Sequence, residues 1–97
     1  MLTHVVCFRY RPDVPEAARA DHRARLAALD GAVGSLRGLA VGADVLGTPR
    51  SYDTALVARF DDRAGLAAYA DHPAHLPVAA LSRELCADIV AVDFEEE

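Results

Sequence analysis

Tyr69, His72 and His75 stand close together in the run Tyr69-Ala70-Asp71-His72-Pro73-Ala74-His75, which brings three groups able to handle protons into one short stretch. An imidazole titrates near neutral pH and serves as a general base, whereas a phenol stays protonated there and donates a hydrogen bond. A spacing of three can set both imidazoles on one side of a helical turn, yet two histidines fall short of the three or four protein ligands a zinc site takes, so no metal site is expected. The plainer alternatives are a cap or surface residue for His72 and a core tyrosine with a bonded hydroxyl for Tyr69. His4 lies near the start of the chain and Asp93 near its end. If the first and last strands run antiparallel side by side, this carboxylate meets the imidazole, raises its proton affinity and fixes its orientation. His4 then reads either as half of a structural pair or as a polar anchor facing a ligand. His22 reads as a structural histidine on a buried helix face. All ten basic residues are arginines, so Schiff-base catalysis by a lysine amine is excluded.

The elements that must hold these groups follow from periodicity. Leu2 to Tyr10, with Val5, Val6, Phe8 and Tyr10, is a β-rich run ended by Arg11-Pro12-Asp13. Pro15 and Glu16 suit the first turn of a helix reaching to about Leu36, whose stripe of Leu26, Leu29, Val33 and Leu36 repeats at steps of three and four. A second strand is expected over about Leu39 to Leu46, a loop at Gly47-Thr48-Pro49-Arg50-Ser51, and a third strand over Tyr52 to Phe60. Asp61-Asp62 offers a cap for a second helix carrying Leu66 and Tyr69. Asp71-His72-Pro73 interrupts that helix, a further helical piece runs from Ala74 to Leu85, and Ala87 to Phe94 forms the last strand. The order is β-α-β-β-α-β, an α+β ferredoxin-like arrangement with a four-stranded antiparallel sheet. Both faces of that sheet are apolar: Val6 and Phe8 alternate with Val5 and Cys7, and Ile89 and Ala91 alternate with Val90, Val92 and Phe94. Two helices cover one face only. A second copy of the chain, packed through the other, makes a homodimer in which two sheets close a barrel.

The segments His4-Val5-Val6-Cys7-Phe8, Tyr52-Asp53-Thr54-Ala55-Leu56-Val57, Ala68-Tyr69-Ala70-Asp71-His72-Pro73-Ala74-His75 and Ile89-Val90-Ala91-Val92-Asp93-Phe94 occur in that order along nearly the whole chain. In this they resemble the stress-responsive A/B barrel (Dabb) family, also called the dimeric α+β barrel. The resemblance implies a pocket between sheet and helices, at positions matching His4, Val6, Phe8, Leu26, Leu56, Ala58, Leu66, Val78 and Ile89. His22, His72 and Asp93 are expected as further members of that binding pocket. One plant member of the family closes a linear polyketide by an intramolecular aldol reaction without a cofactor, through a tyrosine and a histidine that match Tyr69 and His75. The resemblance thus implies those two as catalytic residues. Where that cyclase has aromatic residues on its first helix, this chain has His22, Arg23 and Leu26, which implies a reshaped pocket. Tyr52 and Asp53 read as strand-entry residues without a chemical role.

Composition bounds the rest. A chain of 97 residues, 53% hydrophobic and 26% charged, supports one domain, here taken as residues 1–97. Cys7 and Cys86 lack the spacing of a metal clip or a disulfide framework and read as reduced. A net charge of -5 argues against a nucleic-acid partner. No apolar run approaches the roughly 20 residues of a membrane span, and no signal peptide is apparent, so a cytoplasmic location is expected. The function expected from residues and resemblance together is a dimeric barrel that binds a small apolar or aromatic molecule, in the form of a cofactor-independent cyclase or lyase. The alternatives are a non-catalytic stress-responsive or metabolite-binding protein and, third, a monooxygenase-like dimeric barrel enzyme.

Overall fold

The computed structural model describes residues 1–96; Glu97, last of the acidic tail, lies outside them. Its elements are β1 (Leu2–Tyr10), α1 (Glu16–Ala27), β2 (Leu36–Ala43), β3 (Thr54–Phe60), α2 (Arg63–Ala70), α3 (His75–Leu85) and β4 (Cys86–Glu95). The strands form one antiparallel sheet in the order β2-β3-β1-β4. This is the ferredoxin-like α+β layout, with the second helical segment split in two.

The split has a local cause. Asp62 caps α2 by accepting a hydrogen bond from the Gly65 amide at 2.9 Å, and α2 ends before Pro73, which has no amide hydrogen to give. The His72 ring then accepts from the Ala74 amide at 3.0 Å and holds the turn into α3.

Alternate strand residues Leu2, Val6, Phe8 and Tyr10 of β1 and Leu56, Ala58 and Phe60 of β3 are buried against Leu26, Leu29 and Tyr69 from the helical layer. The other face of the sheet is uncovered. Val92 is 64% exposed, Val90 44%, Phe94 43% and Val57 36%, an apolar area of the kind monomers seldom leave in water.

Four boundaries differ from the sequence expectation. The first helix stops at Ala27, not near Leu36. Beyond it the chain descends in successive turns, Leu29 N–H to Leu26 carbonyl, Val33 to Leu29 and Leu36 to Val33, which keep the three-to-four-residue rhythm and the burial of those side chains without a helix. Gly31 sits in the left-handed region at φ 83°, where an L side chain is strained, and continuous helix ends before it. β2 consequently begins at Leu36, and it ends at Ala43 because the Asp44 carboxylate accepts from the Gly47 amide in a turn. β3 begins at Thr54; just before it the Asp53 side chain enters the pairing, its carboxylate accepting from the Tyr10 amide while its amide donates to the Phe8 carbonyl and its carbonyl accepts from the Asp44 amide.

Candidate functional site

Between β1 and the helices lies a cavity of about 180 Å³, apolar over most of its wall through Val6, Phe8, Leu26, Leu56 and Ile89. His4, Tyr69, His75, Ser82 and Arg83 bring polar groups to it, and Ala79 completes the wall. A groove of about 480 Å³ between α1 and α3 is larger, but it is rimmed by solvent-facing residues, of which Asp21 and Arg25 pair with each other at 2.8 Å and Glu84 adds a third charge. An apolar wall on which a few polar groups converge is the arrangement expected of a small-molecule site.

Tyr69 is at the centre of the polar groups. Its ring lies 4.4 Å from that of His75 and 6.3 Å from that of His4, centroid to centroid. Burial pushes its phenol up to about 12, so the hydroxyl remains a proton donor across the physiological range. Among the described residues none hydrogen-bonds this hydroxyl, although the side chain is 2% exposed.

His75 Nδ1 lies 3.0 Å from the Ala70 carbonyl. A carbonyl only accepts, so Nδ1 carries the hydrogen and Nε2 keeps a free lone pair. Burial lowers the proton affinity of this imidazole; the Ala70 bond opposes that, and the nearby His4, Arg83 and His72 add to it. The ring is therefore a neutral base at physiological pH. His4 is oriented from behind: its Nδ1 bonds the Asp93 carboxylate across the β1–β4 pair, where the two residues are register partners. Of the two readings open to His4, structural pair and ligand-facing anchor, the geometry has features of both, since the ring is bonded to Asp93 and lines the cavity. Asp93 itself is not part of the lining.

Other residues expected at the pocket lie elsewhere. Ala58 is buried in the core beneath the sheet, and Leu66 and Val78 pack against that core. His72 holds the α2–α3 turn through its ring nitrogen.

His22 is sealed in the interior with no exposed surface, and its role is legible in its bonds. Ser82 Oγ donates to the Val78 carbonyl at 2.9 Å, so it must accept from His22 Nε2–H at 2.7 Å. His22 Nδ1 is then bare and accepts from the Tyr10 hydroxyl at 2.7 Å, and Thr54 donates in turn to that hydroxyl at 3.0 Å. Burial first, then the neighbouring Arg23, lowers the proton affinity of His22, as this chain of donors requires. We expect His22→Ala to cost about 2–4 kcal/mol, because it leaves a void and takes one buried partner each from the Tyr10 and Ser82 hydroxyls, read as a large fall in melting temperature. The pH dependence has a definite sign. Below the ordinary histidine value of 6.5 the unfolded chain takes up a proton that folded His22 refuses, so stability falls as pH drops through that range. Denaturant melts from pH 7.5 to 5 should show this fall, and His22→Gln should flatten it in part, His75 supplying the remainder.

Ala79, Ser82 and Arg83 were not anticipated. They follow His75 at intervals of four, seven and eight on α3, so the helical face begun by His75 was the available signal.

The fold and this site together define a class: a ferredoxin-like α+β domain with a cavity under its helices and a bare apolar sheet face. The chain belongs to the stress responsive A/B barrel domain (Dabb) family, whose sequence profile matches residues 2–96. Its structure is similar to that of a dimeric ferredoxin-like protein of unknown function from Thermobifida fusca YX, at 34% identity and TM-score 0.89, covering 98% of this chain and 90% of that one. A dimeric protein of unknown function and ferredoxin-like fold from Bacteroides fragilis NCTC 9343 follows at 26% identity and TM-score 0.85, covering 98% and 95%. Hydroxynitrile lyase from Passiflora edulis shares the fold at 18% identity and TM-score 0.86, covering 96% and 90%. No curated protein matches the chain. No helix of the described residues is long and apolar enough to cross a membrane, and among them no group of three or more potential metal ligands occurs. Cys7 and Cys86 are free thiols.

Proposed function

We propose that this chain is a cytoplasmic homodimer that binds an apolar or aromatic carbonyl compound in the cavity under its helices and acts on it as a cofactor-independent cyclase or lyase. The observation that carries this reading is the contact of the Tyr69 and His75 rings at the cavity wall, with one group held as a proton donor and the other as a neutral base. In the reaction, His75 Nε2 takes a proton α to the carbonyl, and the Tyr69 hydroxyl hydrogen-bonds the oxygen on which negative charge develops. The enolate carbon then attacks a second carbonyl of the same molecule, and His75 returns its proton to the new alkoxide. His4, oriented by Asp93, is a wall residue that positions the substrate. The uncovered sheet face supports the dimer, since a second copy brings an identical apolar surface to cover it. Hydroxynitrile lyase lends the comparison a fold, not an activity, at its level of identity.

Exchange of the methyl protons of acetophenone in D2O, followed by NMR, tests the reading without knowledge of the natural substrate. The rate with the protein should rise as pH increases towards 6.5 and then stay level through pH 9, because His75 loses its proton below the ordinary histidine value and Tyr69 keeps its own to about 12. Acetophenone that binds without accelerated exchange would favour the non-catalytic binding protein instead.

A further inference from the structure

Eight of the ten arginines have a hydrogen-bond, ionic or ring partner within the chain: Arg9 at Ser51 and Tyr52, Arg11 at Glu84, Arg19 at Val14 and Asp53, and Arg23, Arg25, Arg37, Arg59 and Arg63 at carboxylates. Of the other two, Arg50 sits in the exposed loop before β3, and Arg83 lines the cavity. Arg83 stands in the last turn of α3, with no partner among the described residues. Its charge reaches the site, since it is one of the groups that lower the proton affinity of His75. The other polar groups of the wall are His4, Tyr69, His75 and Ser82, and none of them is a carboxylate. Asp93, the acid behind His4, is engaged by that imidazole. An apolar chamber that carries an unpaired guanidinium and no acid is complementary to a molecule with one anionic end.

We propose that Arg83 is a specificity-determining residue that binds the carboxylate of an apolar or aromatic keto acid whose carbonyl oxygen rests at Tyr69. The substrate class thereby narrows from carbonyl compounds to monocarboxylates that carry a ketone. This inference rests on the carbonyl-pocket reading given above. A cation in the last helical turn also complements the helix dipole. That role involves no ligand and would not make binding depend on a ligand's charge.

Calorimetric titration of the dimer with 3- and 4-acetylbenzoate and with their methyl esters separates the two roles. These probes keep the aryl ketone and differ in the anion, and the two isomers offer two spans between ketone and carboxylate. At least one acid should bind about tenfold tighter than its ester, the scale of one charge-assisted contact. Added salt should narrow that ratio, because the guanidinium is partly in water. Arg83→Gln should bring the ratio to within about twofold, and Arg83→Lys, which keeps a point charge without the planar fork, should restore part of it. Equal binding of acid and ester by the wild type, or a preference that survives Arg83→Gln, overturns the role of Arg83 and leaves the carbonyl pocket standing. Failure of all four probes to bind overturns both.

Discussion

His75→Ala should slow protein-catalysed exchange of the acetophenone methyl protons by about 10²–10⁴, the usual contribution of a positioned general base. The variant should keep its melting temperature to within a few degrees, because His75 is only partly buried and the one bond its ring makes is to the Ala70 carbonyl at the end of α2. Tyr69→Phe removes the oxyanion donor and keeps the ring, whose contacts with Phe60 and His75 hold the cavity wall. Its rate should fall by about 10², less than for loss of the base, with the acid limb of the pH profile unchanged, since that limb belongs to His75. The exchange assay with both variants at pH 6 and pH 8 is the check. An unaltered rate in His75→Ala would remove the base from the scheme.

Val92→Arg should split the dimer into monomers or render it insoluble. Val92 is 64% exposed in the single chain and shares its sheet face with Val90, Phe94 and Val57. In a dimer closed through this face, an arginine at position 92 would be carried into a desolvated interface, an unpaired buried charge in each copy. The loss should exceed that for any single substitution on the solvent side of the helices, most of which change stability by about 0.5 kcal/mol or less. Sedimentation velocity at micromolar concentration reads the outcome. A soluble dimer of unchanged stability would show that another face makes the contact.

Much of this architecture is legible in the sequence. The alternation through β1 and β4 marks two apolar faces, and Pro73 marks the break between α2 and α3, because both signals depend on neighbours in sequence. The end of α1 was not legible. Leu29, Val33 and Leu36 keep helical spacing while the chain passes through separate turns around Gly31, and a period alone cannot tell a helix from a succession of turns that buries the same residues. His22 shows a second limit. It lies on the helix face that carries Leu26, but whether it opens to the cavity or is sealed by Tyr10 and Ser82 depends on side chains 12 and 60 residues away. Arg83 shows a third, for a basic residue at a helix C-terminus has an ordinary explanation there, and only the fold brings it to the cavity wall.

A crystal structure of the protein soaked with acetophenone shows whether a carbonyl compound lies between Tyr69 and His75. The ketone oxygen should lie about 2.6–3.2 Å from Tyr69 Oη with the methyl carbon facing His75 Nε2 and the phenyl ring against the apolar wall of Val6, Phe8 and Leu56. Acetophenone seated instead in the groove between α1 and α3, or in the cavity with its oxygen turned away from both side chains, would contradict it.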